Sequence, residues 1–299
     1  MHQRLNHNTK VIAVIGHPIK HSYSPLMQNK AFELKELDYV YLPFDVPGEN
    51  LKAAIKGMVS LGVKGFNVTL PHKEKINEYL DEISEEASVI GAVNTVVNEN
   101  GILHGYNTDV NGIIESLNPY KEEIVGQEVS IIGAGGASRS VIYALIRHFK
   151  VKRLNIINRT LQIAESLKDY FQTKMLFDNI KTYELVPPDL TRVFRKSKLI
   201  VNTTSMGMFP EVDDSATTIS KSFKEGQIVF DVIYNPFKTK FLQIAEEQGA
   251  TVLSGLKMFL EQGAKSFELW TGETMPREEI YEILKQELLA KPEEVDHNE

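Results

Sequence analysis

A short apolar run near residue 70 is followed by side chains that could do acid–base chemistry. The segment Gly65–Leu70 reads as a strand, and Thr69, His72 and Lys73 supply a hydroxyl, an imidazole and an ammonium at its end. Open α/β sheets bind their ligands at the carboxyl ends of strands. The position favours a ligand site, while a lysine in this place is also typical of an exposed surface.

Further polar residues follow two other elements. Ser22 and Ser24 come after the first apolar run, and Ser24 precedes a proline as helix-capping serines do. Asn94 and Asp109 flank the next segment, where Asp109 lies at the start of a helical pattern and could equally belong to a capping sequence. Each residue thus has both a ligand-binding and a capping interpretation.

A glycine-rich segment, Gly133–Ser138, lies between a strand-like run and a helical run. Gly133 allows a tight turn, Gly135 lets the backbone approach a pyrophosphate, and amides at a helix N-terminus stabilise phosphate charge. The third position of this fingerprint is Ser138 instead of glycine. Because strand, loop, helix and second strand follow in the required order, we interpret the segment as a dinucleotide site and not as a plain glycine-rich turn.

The end of the second strand bears on the choice of dinucleotide. About twenty residues after the loop, NAD-binding domains carry an acid for the ribose 2′-hydroxyl. This chain has Asn158-Arg159-Thr160 there. The planar cation of Arg159 suits a 2′-phosphate, although it could also be an ordinary surface arginine. Ile163 supplies no second cation, which predicts a weaker discrimination between the two cofactors.

Short β-branched runs alternate with longer helical patterns, which is typical of βα units and a mainly parallel sheet. Helices are expected from Ser24 to Leu37 and from Leu51 to Leu61, and Asn100-Gly101 suits a hairpin turn. No clear strand follows Gly255. The predicted strands are Val11–Ile15, Tyr39–Val46, Gly65–Leu70, Asn94–Asn98, Ile102–Tyr106, Val129–Ile132, Leu154–Ile157, Leu199–Val201, Ile228–Phe230 and Thr251–Leu253.

Composition excludes several classes of protein. With 299 residues the chain suits two domains of about 150 residues, and 42% hydrophobic with 24% charged residues is typical of a soluble globular protein. The net charge of −7 and the lack of a basic stretch argue against a nucleic-acid partner. Without cysteine there is no disulfide, thiolate nucleophile or Cys-ligated zinc, and no run is long enough for a membrane helix. We expect a cytoplasmic protein with no membrane or metal partner and a charged, frayed tail at 291–299.

Taken together, these motifs resemble the shikimate dehydrogenase family. The resemblance extends in order over nearly the whole chain, which makes it more specific than any single motif. The motifs are Ser22–Pro25, Asn67–Lys73, Gly91–Thr95, Asn107–Asp109, Gly133–Ala137, Asn158–Thr160, Asn202–Gly207, Asp231–Pro236 with Thr239, and Gly255–Met258 with Gln262.

The family resemblance implies reversible NADP-linked reduction of 3-dehydroshikimate to shikimate, on the chorismate pathway to aromatic amino acids. It implies that Lys73 and Asp109 form the catalytic pair, without saying which of them moves the proton. The substrate residues implied are Ser22 and Ser24 at the carboxylate and Thr69, Asn94, Tyr234 and Gln262 around the ring. The cofactor residues implied are Gly133, Ala134, Gly135, Gly136, Ala137, Asn158, Arg159, Thr160, Thr203, Ser205, Met206, Val232, Gly255 and Met258.

The resemblance also implies the domain organisation. An α/β substrate domain with a mainly parallel sheet would comprise 1–108 and 255–299, and a Rossmann-type NADP-binding domain would comprise 109–254. The C-terminal segment would return to the first domain and bring Gln262 to the substrate, and the two domains would close around the ligand by a hinge.

Several alternatives remain at this point. Quinate could be a substrate, with NAD or both cofactors, although His72 favours shikimate. A non-catalytic ligand-sensing relative would lack the Lys73/Asp109 pair, and both residues are present. A metalloenzyme or a serine hydrolase is disfavoured, because no ligand cluster and no complete nucleophile elbow occur. The oligomeric state could be a monomer or a homodimer.

Overall fold

The structure is a computed structural model that describes residues 5–290, apart from the side chains of residues 187–189. The expected frayed tail at 291–299 lies outside the described residues. Twelve strands and eleven α-helices alternate along this part of the chain. The predicted α/β class with two mainly parallel sheets is confirmed.

The first sheet has six strands in the order β2-β1-β3-β5-β6-β4. Only β5 runs against the others, because it pairs antiparallel with both β3 and β6. Asn100 and Gly101 link β5 to β6 with φ of 56° and 100°, as the expected primed hairpin turn requires. The strands are β1 Lys10–Gly16, β2 Tyr39–Asp45, β3 Gly65–Val68, β4 Glu82–Ile83, β5 Thr95–Glu99 and β6 Ile102–Tyr106.

The second sheet is wholly parallel, with the order β12-β11-β10-β7-β8-β9. Counted from its own first strand this is the order 3-2-1-4-5-6 of dinucleotide-binding sheets, whose ligands bind where the strand order reverses. The strands are β7 Glu128–Ile132, β8 Arg153–Asn158, β9 Ile180–Glu184, β10 Leu199–Asn202, β11 Ile228–Asp231 and β12 Thr251–Leu253. The point of reversal lies between β7 and β10.

The helices cover these sheets and carry the turns that follow the strands. They are α1 Ser24–Leu34, α2 Leu51–Ser60, α3 Glu85–Ile90, α4 Asp109–Leu117, α5 Lys121–Ile124, α6 Gly136–Arg147, α7 Leu161–Met175, α8 Pro187–Lys196, α9 Lys240–Glu247, α10 Leu256–Thr271 and α11 Arg277–Ala290. Within the second sheet, Ile131 belongs to one buried cluster and its neighbour Ile132 to another. Both faces of that sheet are therefore packed against helices.

The structure departs from the predicted elements at the end of α1 and at two strands that were not predicted, β4 and β9. The expectation that the first helix extends to Leu37 was wrong, because α1 ends at Leu34. Glu36 has a φ of 52°, which does not continue a right-handed helix. Only five strands were expected in the second half, and β9 was missed. Its sequence Ile-Lys-Thr-Tyr-Glu lies at the sheet edge, where exposed polar positions weaken the apolar signal.

The described chain divides into two compact units. One contains the chain up to Gly112 together with Leu260–Leu284, and the other contains Ile113–Phe259 and the chain from Lys285. The boundaries therefore fall inside α4, α10 and α11. Within the first unit, the Trp270 indole donates a hydrogen bond to the Val96 carbonyl at 3.0 Å, so α10 packs on the sheet. The division into substrate and cofactor domains at 108 and 255 stays a prediction.

Among residues 5–290, no helix is both long enough and apolar enough to cross a membrane. In the same residues, no group of three His, Asp or Glu side chains is placed to hold a metal ion.

Candidate active site

Lys73 and Asp109 form a close ion pair in the first unit. The Lys73 Nζ lies 2.6 Å from Oδ2 of Asp109, and the two side chains are 16% and 6% exposed. Lys73 comes from the turn after β3, and Asp109 is the first residue of α4. The positive end of the helix dipole stabilises a carboxylate at this position. The pair therefore places an ammonium group at a partly open, weakly solvated site.

Asn94 holds the other oxygen of this carboxylate. Its side-chain amide donates to Oδ1 of Asp109 at 2.8 Å, and its own Oδ1 accepts from the backbone N–H of Thr108 at 2.7 Å. Asn94 is buried and lies directly before β5. Both oxygens of Asp109 thus accept hydrogen bonds, which fixes the orientation of the carboxylate toward Lys73.

Asn94 also belongs to a buried polar cluster, the Asn94 network, made of Asn67, Asn94, Thr95, Thr108 and Ser266. Ser266 of α10 lies 2.8 Å from the Thr95 hydroxyl and 3.0 Å from the Thr108 hydroxyl, and Asn67 donates to Ser266 at 3.1 Å. These contacts tie β3, β5, α10 and the start of α4 together. They fix the side chains that hold the ion pair.

Of this network, the sequence analysis assigned a role only to Asn94, although Asn67, Thr95 and Thr108 lie within the motifs that carry the family resemblance. A signal was available for Asn67, because a polar residue inside the apolar run Gly65–Val68 costs free energy unless it is hydrogen-bonded. For Ser266 the sequence offered nothing, since a serine on an amphipathic helix is ordinary. Its partners come from segments more than 150 residues earlier in the chain.

Gln262 joins the same cluster from α10. Asn94 donates from its amide to Oε1 of Gln262 at 3.4 Å. Lys73, Asn94, Asp109 and Gln262, four of the residues singled out from sequence, therefore lie together in the first unit.

His72 is not available for chemistry. Its ring is buried, and its Nε2 donates to the Val46 carbonyl oxygen at 2.6 Å. The expectation that this imidazole is presented to a ligand is wrong, because the side chain anchors the loop after β2. Thr69 stays partly exposed, and its methyl group packs where Gly16 leaves room, since a Cβ on Gly16 would lie 2.4 Å from it.

The two serines are arranged differently from a helix cap. Ser24 is the first residue of α1, Tyr23 occupies the cap position, and no side chain caps this end. Instead the Ser22 hydroxyl accepts from the backbone N–H of Ser24 at 3.3 Å. The capping interpretation of Ser24 is therefore wrong. The segment Asn107–Asp109 does act as a capping sequence, because the Asn107 side chain accepts from the Val110 N–H at 3.3 Å, while Asp109 itself binds Lys73.

In the second unit, the glycine loop follows β7 at the point where the strand order reverses. Gly133 has a φ of +106°, and a Cβ there would lie 2.6 Å from the Thr203 hydroxyl, so a larger residue is excluded. A Cβ on Gly135 would meet no atom within 4 Å. Open space therefore lies at the N-terminus of α6, a 12-residue helix.

Ser138, which replaces the third glycine of the fingerprint, has a structural partner. Its hydroxyl lies 2.6 Å from the Thr203 hydroxyl, which itself donates to the Ile132 carbonyl at 2.6 Å. Ser138 is therefore the donor in the pair. The loop tolerates serine here because the hydroxyl links α6 to the loop after β10.

The end of β8 carries the residues expected near the ribose. The Asn158 amide donates to the Thr160 carbonyl at 2.9 Å, while Arg159 and Thr160 are exposed. Ile163 is half-exposed in the first turn of α7. Arg159 is thus exposed, and the first turn of α7 carries Ile163 where a second cation was considered.

The remaining predicted residues lie around the ends of β10 and β11. Tyr234 stacks on Phe259 with a centroid distance of 4.1 Å. A Cβ on Gly255 would lie 2.1 Å from the Val232 carbonyl oxygen, so the close approach of these two backbone segments requires glycine. Ser205 is exposed, Met206 is partly exposed, and Met258 is buried in the core of the unit.

Asp231, at the end of β11, was not singled out for the site. It is fully buried, and burial raises the pKa of its carboxyl group to about 7, against the opposing effect of hydrogen bonds from Thr239, the Ile233 N–H and Asn202. The available signal was an acidic residue at the end of a wholly apolar strand, where it is costly unless hydrogen-bonded.

Three family models match successive parts of the chain. Residues 14–96 match the shikimate dehydrogenase substrate binding domain, residues 117–232 match shikimate / quinate 5-dehydrogenase, and residues 255–285 match the shikimate 5'-dehydrogenase C-terminal domain. Together the models extend over both compact units.

Individual proteins agree with these models over nearly their full length. The chain is 45% identical to the shikimate dehydrogenase (NADP(+)) of Caldanaerobacter subterraneus subsp. tengcongensis, over 95% of this chain and 100% of that protein. A shikimate dehydrogenase crystallised in complex with NADP+ superposes with a TM-score of 0.87 at 39% identity, over 95% of this chain and 98% of the other. The Listeria monocytogenes enzyme, in complex with shikimate and NAD, gives 0.84 at 38% identity, over 95% and 99%.

Proposed function

This chain belongs to the shikimate dehydrogenase family and is an oxidoreductase for the reversible NADP-dependent reduction of 3-dehydroshikimate to shikimate, and we propose that Lys73 and Asp109 move the proton of that reaction. The observation that carries the proposal is the ion pair of 2.6 Å at a partly open position. The activity belongs to the biosynthesis of aromatic amino acids.

The reaction needs a hydride at the carbonyl carbon and a proton at the carbonyl oxygen. Bound NADPH supplies the hydride. As negative charge develops on the oxygen, a nearby ammonium stabilises it and then donates the proton. Lys73 is the donor in this assignment, because both oxygens of Asp109 already accept hydrogen bonds and the carboxylate has no proton to give. In the reverse direction the neutral amine accepts the proton from the substrate hydroxyl.

Asp109 positions the amine and stabilises its protonated form. Its carboxylate is held by Asn94 and by the N-terminus of α4, so it does not turn away from Lys73. The positively charged Lys73 in turn offsets the cost of a carboxylate that is only 6% exposed. Removing either residue therefore disables the same unit.

Ser22 and Ser24 bind the substrate carboxylate in this proposal. The Ser22 hydroxyl accepts from the Ser24 amide, so its own proton remains for an anionic oxygen. The Ser24 hydroxyl is free of the capping role at α1. Two neutral hydroxyl donors suit a carboxylate that must bind and leave within one turnover.

Thr69, Asn94, Tyr234 and Gln262 are assigned to the ring of the substrate. Support comes from the hydrogen bond of Asn94 to Gln262 and from the partial exposure of Thr69, which follows the same strand, β3, as Lys73 does. Alternating donors and acceptors match a ring that carries several hydroxyl groups.

The glycine loop holds the pyrophosphate of NADP. Gly133 needs its positive φ, and the open space at Gly135 lets phosphate oxygens reach the amides of α6. The further residues assigned to the cofactor are Ala134, Gly136, Ala137, Asn158, Thr160, Thr203, Ser205, Met206, Val232, Gly255 and Met258. Arg159 binds the 2′-phosphate, since it is exposed and no acid stands at the end of β8.

A cytoplasmic location and a monomeric or homodimeric state complete the proposal. The location rests on the absence of cysteine from the chain, which fits a reducing compartment. We expect a small-molecule substrate and no nucleic-acid partner, because the net charge of −7 would repel a phosphate backbone.

One experiment tests the function directly. Shikimate and quinate are each offered with NADP+ and with NAD+, and the absorbance of the reduced nicotinamide is followed. We expect the highest kcat/KM with shikimate and NADP+. No turnover with shikimate by folded protein would overturn the proposal, and faster turnover of quinate would reassign the substrate.

A further inference from the structure

The carboxylate of Asp231 is the centre of a hydrogen-bond network in the second unit, the Asp231 network, made of Asp231, Asn202, Thr204 and Thr239. The Thr239 hydroxyl donates to Oδ2 at 2.7 Å, and the Asn202 amide donates to Oδ1 at 3.0 Å. Oδ1 also accepts from the Ile233 N–H at 3.1 Å. Within residues 5–290, no ion pair of Asp231 within 4.0 Å is present, so hydrogen-bond donors alone hold it.

Through Asn202 the network reaches the loop after β10. The Oδ1 atom of Asn202 accepts from both the backbone N–H and the hydroxyl of Thr204, at 3.1 and 2.7 Å. The Thr204 hydroxyl in turn accepts from the Met206 N–H at 3.2 Å. An unbroken series of hydrogen bonds therefore runs from Asp231 to the segment 203–206.

Through Ile233 and Thr239 the network also reaches the segment after β11. Ile233 is held on both sides, because its N–H binds Asp231 and its carbonyl accepts from the Gly255 N–H at 2.9 Å. Thr239 accepts from the Leu242 N–H and so caps α9. The segment 232–239 is thereby fixed at its beginning and at its end.

We propose that Asp231 is a positioning residue that holds the segments 203–206 and 232–234 in one arrangement competent to bind NADP(H). The inference rests on the proposed function, which assigns Thr203, Ser205, Met206 and Val232 to the cofactor. Asp231 acts on the cofactor only through these segments. Asp231 holds the segments in place through the geometry of the three hydrogen bonds that it accepts, and not through its charge.

The burial of the residue supports this role. Burial raises the pKa of Asp231 to about 7, which means that the ionised group is held at a cost in free energy. An apolar side chain at the end of β11 would avoid that cost and would continue the buried pattern of the strand. It would leave the Asn202 amide, the Ile233 N–H and the Thr239 hydroxyl without their acceptor.

The test measures the Kd for NADPH by its fluorescence, without substrate, for wild type, Asp231→Ala and Asp231→Asn. We expect Asp231→Ala to weaken binding by roughly 10- to 100-fold, because several buried donors lose their acceptor and the segments they hold are released. Asp231→Asn keeps an oxygen that accepts from the Ile233 N–H and the Asn202 amide, and its new amide group can donate to the Thr239 hydroxyl, which reverses the direction of that one bond. It should bind within about threefold of wild type.

Asn155→Ala is the matched control, since Asn155 is also fully buried and hydrogen-bonded in the same sheet, near the start of β8. It should lower the Tm and leave the Kd unchanged. Equal weakening by Asn155→Ala and Asp231→Ala would overturn the proposal, and so would Asn behaving like Ala at position 231.

If Asp231→Ala does not fold, Thr204→Val removes the hydroxyl that joins Asn202 to Met206 and leaves the hydrogen bonds of Asp231 itself in place. It should weaken NADPH binding several-fold, and wild-type binding by that variant would refute the network. Should wild type bind NADPH without oxidising shikimate, the proposed function fails while the positioning role is still measured.

Discussion

The side-chain amide of Asn94 donates to one oxygen of Asp109 at 2.8 Å, while the other oxygen of the same carboxylate binds Lys73 at 2.6 Å. In the proposed mechanism, Asn94 therefore orients the proton-transfer pair, although its own side chain does not ionise. It also explains why a buried asparagine stands before β5, where its two polar atoms are satisfied by the start of α4.

Asn94→Ala should lower kcat/KM for shikimate by roughly 10- to 150-fold, because it removes a hydrogen bond to a charged group. The loss should appear in both kcat and KM, since the amide orients Asp109 and also faces the substrate in the proposal. Asn98→Ala is the control, because Asn98 lies four residues later, within β5, and donates to the Val63 carbonyl; it should keep wild-type kinetics. Unchanged kinetics of Asn94→Ala would remove this residue from the site.

Ser22→Ala and Ser24→Ala should each raise KM for shikimate and leave kcat within a few fold, because a carboxylate remote from the ketone is bound equally in ground and transition states. Steady-state kinetics with saturating NADP+ give both constants. Ser60→Ala, an exposed serine in α2, serves as the control. If neither variant changed KM, the carboxylate would have to bind elsewhere.

Arg159→Ala should raise KM for NADP+ by roughly tenfold and leave KM for NAD+ nearly unchanged, because charge-assisted hydrogen bonds contribute about 1.5–3 kcal/mol and Ile163 adds no second cation. The difference should shrink as salt screens the phosphate. Arg147→Ala, exposed in the same unit, tests for a general effect of charge. An equal rise for both cofactors would make Arg159 a structural residue.

Asp231 should impose a pH dependence on stability. Because its pKa is raised from 3.8 to about 7 in the folded state, the folded chain keeps a proton that the unfolded chain has lost. That contribution to the free energy of unfolding is complete below the unfolded pKa and disappears as the pH rises through about 7.

The difference in unfolding free energy between wild type and Asp231→Asn should therefore fall by roughly 2–3 kcal/mol between about pH 5 and about pH 8. Denaturant titrations of both proteins across this range measure it. A difference that stays constant with pH would mean that Asp231 titrates near its ordinary value.

The strands were predictable from the sequence where a short apolar run has polar residues or glycine on both sides, as at Val129–Ile132 and Ile228–Phe230. It missed β9, whose exposed edge positions carry Lys181 and Glu184. The glycine loop was predictable because its requirements are local to six residues. Such local rules also identified the turn at Asn100.

The site was only partly predictable for a physical reason. Lys73 and Asp109 could be named from motifs, but the partners that fix them meet only through tertiary contacts. Ser266 shows this best, since its contacts with Thr95 and Thr108 join segments far apart in the chain. For Ser24 a local rule led to a wrong prediction. The rule predicts that the Ser24 hydroxyl caps α1, and in the structure no side chain caps this helix.

The central claim is that Lys73 and Asp109 act as one proton-transfer unit, and kcat for shikimate oxidation in Lys73→Ala, Asp109→Ala and the double variant tests it most directly. Each single change should lower kcat by roughly 10²–10⁴, and the double variant should lose little more, because the same function is lost once. Lys75→Ala, an exposed lysine paired with Glu78, should keep wild-type kcat. A Lys73→Ala variant that is folded, with an unchanged kcat and only a raised KM, would contradict the account.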